Sequence, residues 1–437
     1  MTRLSSGSPG RRRVRAPRLI LTAVALGPVL GAAIGACSSG ASRPASSARD
    51  QRWQRDIAYL ARELPALREA GLGGVGSSAW NAAAARIEAA VPGLTDNQIA
   101  VRMAQMVAML HDDETQVQLP PGPVFSFDAE QVGDGVYLLA VPAADKALTG
   151  ARLLAMDGHP IAQVMARAGT TIGAEDPQLL TDTESGALDD GALLHSLGIT
   201  ASATSATLTV RTAAGTEEKV RFTAAGSAFI SFPYPLIDQR PGMAHVPLAG
   251  YEQQSARPYW MRVLPAQHAV YLKYNQCLAD NGFQRLAAQA LALLRAHPDD
   301  RLIVDLRGNL GGDTGPVQAL TTGMQADPSL GAPGRVIGLV NQFTDSAATA
   351  DAQALKEAGA VLIGQAPADP IDRWGDEQTF RLPASGIVVR YTTSVVNGAG
   401  TPLGLPDVVI EPTLAQTLSG DDPVLAAALG YRPGATR

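Results

Sequence analysis

Lysine and cysteine are scarce in this 437-residue chain, which has four lysines (Lys146, Lys219, Lys273, Lys356) and two cysteines (Cys37, Cys277). Two thiols cannot build a cysteine metal cluster, and so few lysines leave arginine to carry nearly all the positive charge. No HExxH, P-loop or dinucleotide fingerprint occurs, and no internal repeat is evident, so no cofactor or metal is called for. A sequence pI of about 5.6 gives no basic field for nucleic acid. What is present is 46% hydrophobic and 17% charged, the balance of a globular chain rather than a disordered one. At this length, two or three domains are expected.

Charge is unevenly spread. Arg3, Arg11, Arg12, Arg13, Arg15 and Arg18 lie in the first twenty residues without an acid. Of the 35 basic residues, 29 then face 41 acidic ones over the remainder, a net of −12. The arginines precede an apolar run from Leu19 to Ala36 that ends in Ile34-Gly35-Ala36-Cys37. A cationic end held on the cytoplasmic side and an apolar segment in the membrane are the grammar of a signal peptide. The ending resembles a bacterial lipobox, which implies acylation of Cys37 and a lipoprotein signal over residues 1–36. An uncleaved membrane anchor is the other reading, because the run is nearly long enough to span. Either places the body outside the cytoplasm, and a lipidated Cys37 leaves Cys277 no disulfide partner. Cys277, in an apolar strand-like setting, reads as a small core residue.

Residues 37–50 are small and polar, as in a flexible tether. Residues 51–118 read as a helical N-terminal domain. Trp53, Ile57, Leu60 and Leu64 repeat at helical spacing, and Thr95 with Gln98 forms a capping box before Ile99, Met103, Met106 and Val107. Residues 119–235 alternate in short segments such as VYLLAV and ATLTVRT, with a tight turn signalled at Asp157-Gly158, so a β-rich module is expected. From 236 to 437 strands alternate with helices, which implies a largely parallel sheet covered on both faces.

Two loops in this last part could carry chemistry. DLRGNLGG (305–312) follows the buried strand LIVDL, and its glycines let backbone N–H groups approach a ligand. In NQFTDSAATA (341–350) a strand ends, the chain turns, and Ser346 opens a helix. A serine there sits beside unpaired N–H groups that favour a developing oxyanion, though a simple N-cap is the bland alternative. The scattered His159, His195, His245, His268 and His297 read as exposed or hydrogen-bonded side chains rather than metal ligands.

The order and spacing of the pieces shift the weight toward the nucleophile through a family resemblance. IVDLRGNLGG is similar to the "IIDLRGNPGG" run of tail-specific, C-terminal-processing (tricorn-core-like) serine peptidases, and FTDSAATA to their "TxSAA" nucleophile loop. VLIGQ, RLPASGIVV, LPDVVIEPT and GDDPVL follow in the family's order, and MVAMLHDDET and LTGARLLAMDGHPI resemble its N-terminal and PDZ-like segments. The chain resembles this family over nearly all its length beyond the basic head. The resemblance implies an α/β protein with a ClpP/crotonase-like core, a helical N-terminal domain and a PDZ-like β module. It implies Ser346 as nucleophile and an oxyanion hole from Gly311, Gly312 and the N–H of Ala347. A peptide or protein substrate and an envelope location anchored through the N-terminal lipid complete the expectation.

The proton relay departs from the family pattern. Relatives end the N-terminal domain in a "GDGHT"-like motif whose histidine is the base. Here the run is His111-Asp112-Asp113-Glu114-Thr115, with Glu114 in the histidine position. Relatives with a Ser–Lys dyad place lysine some 25 residues past the serine, where this chain has Arg373, which cannot accept a proton. Gln365 stands where relatives often show glutamate. Three alternatives remain: His111 as base, oriented by Asp112 or Asp113; Glu114 as base with a raised pKa; or a silent homologue that binds peptides or partner proteins in the envelope.

Overall fold

The structure is a computed structural model. It describes residues 47–174, 180, 185–228, 242–254, 257–313, 315–367, 374–395 and 406–434. The signal and lipidation calls on residues 1–36 and Cys37, most of the tether, and Arg373 lie outside the described residues. Among these, no helix is long and apolar enough to cross a membrane.

Three helices open the described chain: Ala48–Leu67, Ser77–Ala90 and Asp96–Ala108. The first and third start at reciprocal capping boxes, Ser47 with Asp50 and Thr95 with Gln98, each satisfying two orphan donors. Trp53, Ile57, Leu60 and Leu64 line one stripe of the first helix and pack on Trp80, Ile87, Ile99 and Met103. The same core takes in Leu382, Ile387, Val389 and Tyr391 from a far-downstream hairpin, Trp374–Arg381 and Val388–Val395. Short strand Gln116–Val117 pairs with that hairpin at Arg390 and Val389. Buried Asp56 accepts the amides of Ala384 and Ser385 at 2.8 and 2.7 Å, which fixes the hairpin turn on the first helix. Asp112 is a second fastener. Fully buried, it takes hydrogen bonds from Arg68 (2.6 Å), Thr115 (2.6 Å) and Thr392 (2.8 Å).

An antiparallel sheet follows, in the order Gly122–Phe125, Glu217–Ala228, Ser205–Arg211, Arg152–Met156, Gly135–Pro142, Asp128–Val132. Its inward face buries Phe125, Phe127, Leu138, Met156, Leu208 and Phe222. The Asp157-Gly158 turn has φ of 45° and 84°, the positive pair that a type I′ hairpin needs.

The remaining sheet has six strands, ordered Tyr259–Leu264, Ala269–Tyr274, Arg301–Asp305, Val336–Val340, Val361–Gly364 and Val408–Val409. Only its first pair is antiparallel. Helices Asn281–Ala296, Gln318–Ala326 and Ala347–Glu357 cover one face, and Pro423–Gly430 the other. Coverage on both sides explains why Val336–Val340 is apolar and buried at every position. The protein is thus a mixed α/β structure of helices and several sheets.

Candidate active site

Strands Arg301–Asp305 and Val336–Val340 are parallel neighbours, with Asp305 opposite Leu339, so the loops leaving their C-terminal ends emerge side by side. Hydrogen bonds knit the two loops. The Gly308 amide donates to Asn341 Oδ1 (3.0 Å), Thr344 Oγ1 to the Leu306 carbonyl (3.2 Å), and the Asp345 amide to the Asn309 carbonyl (2.9 Å). Position is therefore set by backbone and short polar side chains, before any long side chain contributes.

Ser346 occupies the turn between strand and helix with φ 51° and ψ −127°, and its side chain makes no capping bond. The simple N-cap reading is therefore not what the chain does. Such a backbone is sparsely populated for any residue bearing a β-carbon and costs about 1–3 kcal/mol, which the surrounding packing must sustain. A sharp, strained strand-to-helix turn is the geometry that presents a nucleophilic serine in hydrolases. Facing it, Gly311 has φ 85°, and a β-carbon there would stand 2.8 Å from Ser346 Cβ and 2.8 Å from the Ala347 nitrogen. Gly312 has φ 125°, with the Cys277 carbonyl 2.3 Å from where its β-carbon would be. Both glycines are required by contact as well as by dihedral.

The structure brings together Ser346, Gly311 and Ala347, with Gly312 adjoining, all from the two predicted loops. The Gly311 amide, however, donates to Asn309 Oδ1 at 3.0 Å. Gly311 thus contributes open space before Ser346 rather than a spare donor. Ala347 begins its helix, where N–H groups have no intrahelical acceptor and the dipole is positive.

Behind the glycine loop lies a charged network that sequence reasoning did not find. Arg307 grips Asp422 with two bonds of 2.8 and 2.9 Å, bonds Asp305 through Nε and Nη2, and lies 3.9 Å from the Tyr251 ring centroid. Fully buried Lys273 donates to the carbonyls of Asp305 (3.2 Å) and Arg307 (2.5 Å). Burial lowers Lys273 to about 8, against the pull of Asp305. Burial would raise Asp305, but Arg307 and Lys273 outweigh it and hold the carboxyl at about 2. The available signal was a lone lysine inside the apolar strand AVYLKY, since such a side chain must find partners.

The two residues proposed as base each have partners of their own. His111, at φ 49°, has Nδ1 3.4 Å from the Ala174 carbonyl. Glu114 faces Arg390 at 3.4 Å, and Arg390 also reaches Glu377 at 3.4 Å. Burial, a hydrogen bond shared with Glu377, and nearby Asp113 push Glu114 up to about 10, with Arg390 opposing. At neutral pH this carboxyl keeps its proton and donates it within the pair. Lys356 forms an ion pair with Asp407 at 3.4 Å, and Gln365 bonds Gln342 (3.1 Å) and Glu411 (2.8 Å). His195 and His268 have hydrogen-bonding partners in Thr200 and Asp300, and no metal-type cluster occurs among the described residues.

No family model and no curated protein matches the sequence. Solved structures do. Mature CPAF complexed with lactacystin aligns at TM-score 0.61 and 13% identity, over 88% of this chain and 100% of that one. Mature CPAF alone gives 0.57 and 13%, over 89% and 99%. The photosystem II D1 C-terminal processing protease aligns at only 0.39 and 15%, over 86% and 99%, too loosely to carry an argument. The chain therefore shares the fold of CPAF.

Proposed function

We propose that this protein is a serine peptidase-like hydrolase of the tail-specific type, with Ser346 as nucleophile. The observation that carries this reading is the strained, uncapped turn at Ser346 facing Gly311. In the reaction, Ser346 Oγ bonds to a peptide carbonyl carbon as its proton passes to a base. The C–N bond then breaks, the amine leaves with a proton, and water hydrolyses the ester. Amides of Gly312 and Ala347 stabilise the oxyanion. We take the six-stranded sheet and its helices as a ClpP/crotonase-like core, and the antiparallel sheet over 122–228 as a PDZ-like module suited to an extended peptide. The N-terminal segment through Cys37 is read, from sequence, as the lipoprotein signal that places the protein at the envelope.

His111 is the better base. Its ring meets the Ala174 carbonyl through Nδ1, and an imidazole is a common proton acceptor, whereas burial and the Glu377 hydrogen bond hold the Glu114 carboxyl toward its protonated form. That same protonated Glu114 at the expected base position favours a second reading, a silent homologue that binds peptides. A fluorophosphonate probe applied to the full-length chain across pH separates them, with Ser346→Ala as control. Labelling that requires Ser346 supports the hydrolase. Its absence in folded protein supports the silent reading.

A further inference from the structure

Beneath the two loops lies a buried polar cluster that the peptidase reading leaves unused: Asp351, Cys277, Asn309 and Tyr274, none more than 3% exposed. Asp351 sits on the helix that Ser346 opens, and its Oδ2 accepts from Cys277 Sγ at 3.4 Å. Cys277 belongs to another part of the chain and fastens the glycine loop through its backbone. Its amide donates to the Gly311 carbonyl (2.9 Å) and its carbonyl accepts from the Asp313 amide (2.9 Å). Asn309 closes the circuit. Its Oδ1 holds the Gly311 amide, its Nδ2 donates to the Tyr274 carbonyl (2.9 Å), and Cys277 Sγ lies 3.7 Å from Oδ1. One residue, Cys277, therefore touches the nucleophile helix with its side chain and the facing loop with its main chain.

We propose that Asp351 and Cys277 form a buried pin that sets the separation between Ser346 and the Gly311–Gly312 strip. This makes both of them positioning residues for Ser346. The inference rests on the reading of Ser346 as nucleophile and adds the support on which that reading depends. Stability does not account for the carboxyl, because a buried acid without a cation costs free energy that an apolar residue would spare. Placement does, since the thiol–carboxyl contact links that helix to Cys277 through side chains. Burial raises Asp351 to about 7. The titratable groups facing it are Cys277 and Tyr274, both pushed up by burial, and the nearest lysine of its own helix, Lys356, is paired with Asp407. The Tyr274 hydroxyl faces both groups yet closes no hydrogen bond of normal geometry. An ionised Asp351 would draw that hydroxyl and the thiol toward itself. With its carboxyl raised to about 7, Asp351 changes charge within the thiol contact near neutrality.

The test compares fluorophosphonate labelling of Ser346 in the full chain with Asp351→Asn, Asp351→Leu and Cys277→Ala, alongside amide exchange of residues 311–313 and 345–348. Asp351→Leu and Cys277→Ala are expected to slow labelling roughly 10-fold, the scale of a small misplacement. Asp351→Asn, which keeps the shape, is expected to recover part of that loss. The ratio of its rate to the wild-type rate is expected to change with pH around neutrality. Wild-type rates in the Leu and Ala variants, or a ratio constant with pH, overturn the proposal. Amide exchange decides it independently of reactivity: Cys277→Ala should loosen both loops together, and loosening of one or neither overturns the pin. Folded wild-type protein that never labels defeats the nucleophile reading, while the exchange result still stands for or against the pin.

Discussion

A β-carbon on Gly311 would stand 3.0 Å from Ser346 Oγ. The space in front of the serine therefore exists only because residue 311 lacks a side chain, and φ 85° excludes most alternatives on its own. Gly311→Ala either pushes the loop away or fills the volume where a carbonyl must enter. The variant is expected to fold, with a stability loss of about 1–2 kcal/mol from the forced dihedral. Its labelling by a fluorophosphonate should fall about 100-fold. Circular dichroism establishes the first result and probe kinetics the second. Labelling at the wild-type rate would show that the two loops do not confront each other as described.

The turn at Ser346 carries its own signature in stability. An alanine at this position keeps the β-carbon and the strain of φ 51°, ψ −127°, whereas glycine relieves it. Relief of about 1–3 kcal/mol, less the 0.5–1 kcal/mol entropic cost of glycine, leaves Ser346→Gly more stable than Ser346→Ala by about 1 kcal/mol. Denaturant titration of the two inactive variants measures the difference directly. If alanine is the more stable, the backbone is not strained there and the strongest argument for a nucleophile is lost.

Much of this site could be read from the chain because its parts are local. Gly311, Gly312 and Ser346 lie at strand ends, where turn chemistry is written in neighbouring residues, and the Thr95–Gln98 cap and Asp157-Gly158 turn are equally short-range. Hidden from such reading was whatever depends on distant pairing. Arg390 bonds the Glu114 carbonyl across 276 positions, and Val389 lies opposite Val117 in the register. Nothing in RLPASGIVV announces that it completes the core of the opening helices. Asp351 hides for a related reason: among the small residues of TADAQAL it looks like a solvated helix position, and only the sheet packed beneath shows that it is buried. The local pattern did not separate a capping serine from a strained one either, since both begin a helix.

Glu114 is hydrogen-bonded to Glu377 beside Arg390, and the pH dependence of stability follows. The ordinary value of the Glu114 carboxyl, 4.5, is raised to about 10 by burial, then by the Glu377 hydrogen bond and Asp113. Between those values the folded chain holds a proton that the unfolded chain has released. The associated stability is complete below the lower value and is lost progressively as pH rises through the upper one. Glu114→Gln keeps a similar shape and removes the titration. Relative to this variant, wild-type protein should lose melting temperature steadily from about pH 5 to about pH 9. A difference between the two that is constant with pH would mean that Glu114 is not protonated in the fold. The same variant settles its chemical role, because glutamine cannot accept the serine proton. Retained labelling of Ser346 in Glu114→Gln would leave His111 as the acceptor and Glu114 as a fastener of the hairpin. Lost labelling in folded protein would return Glu114 to the relay, acting from the fraction that has released its proton.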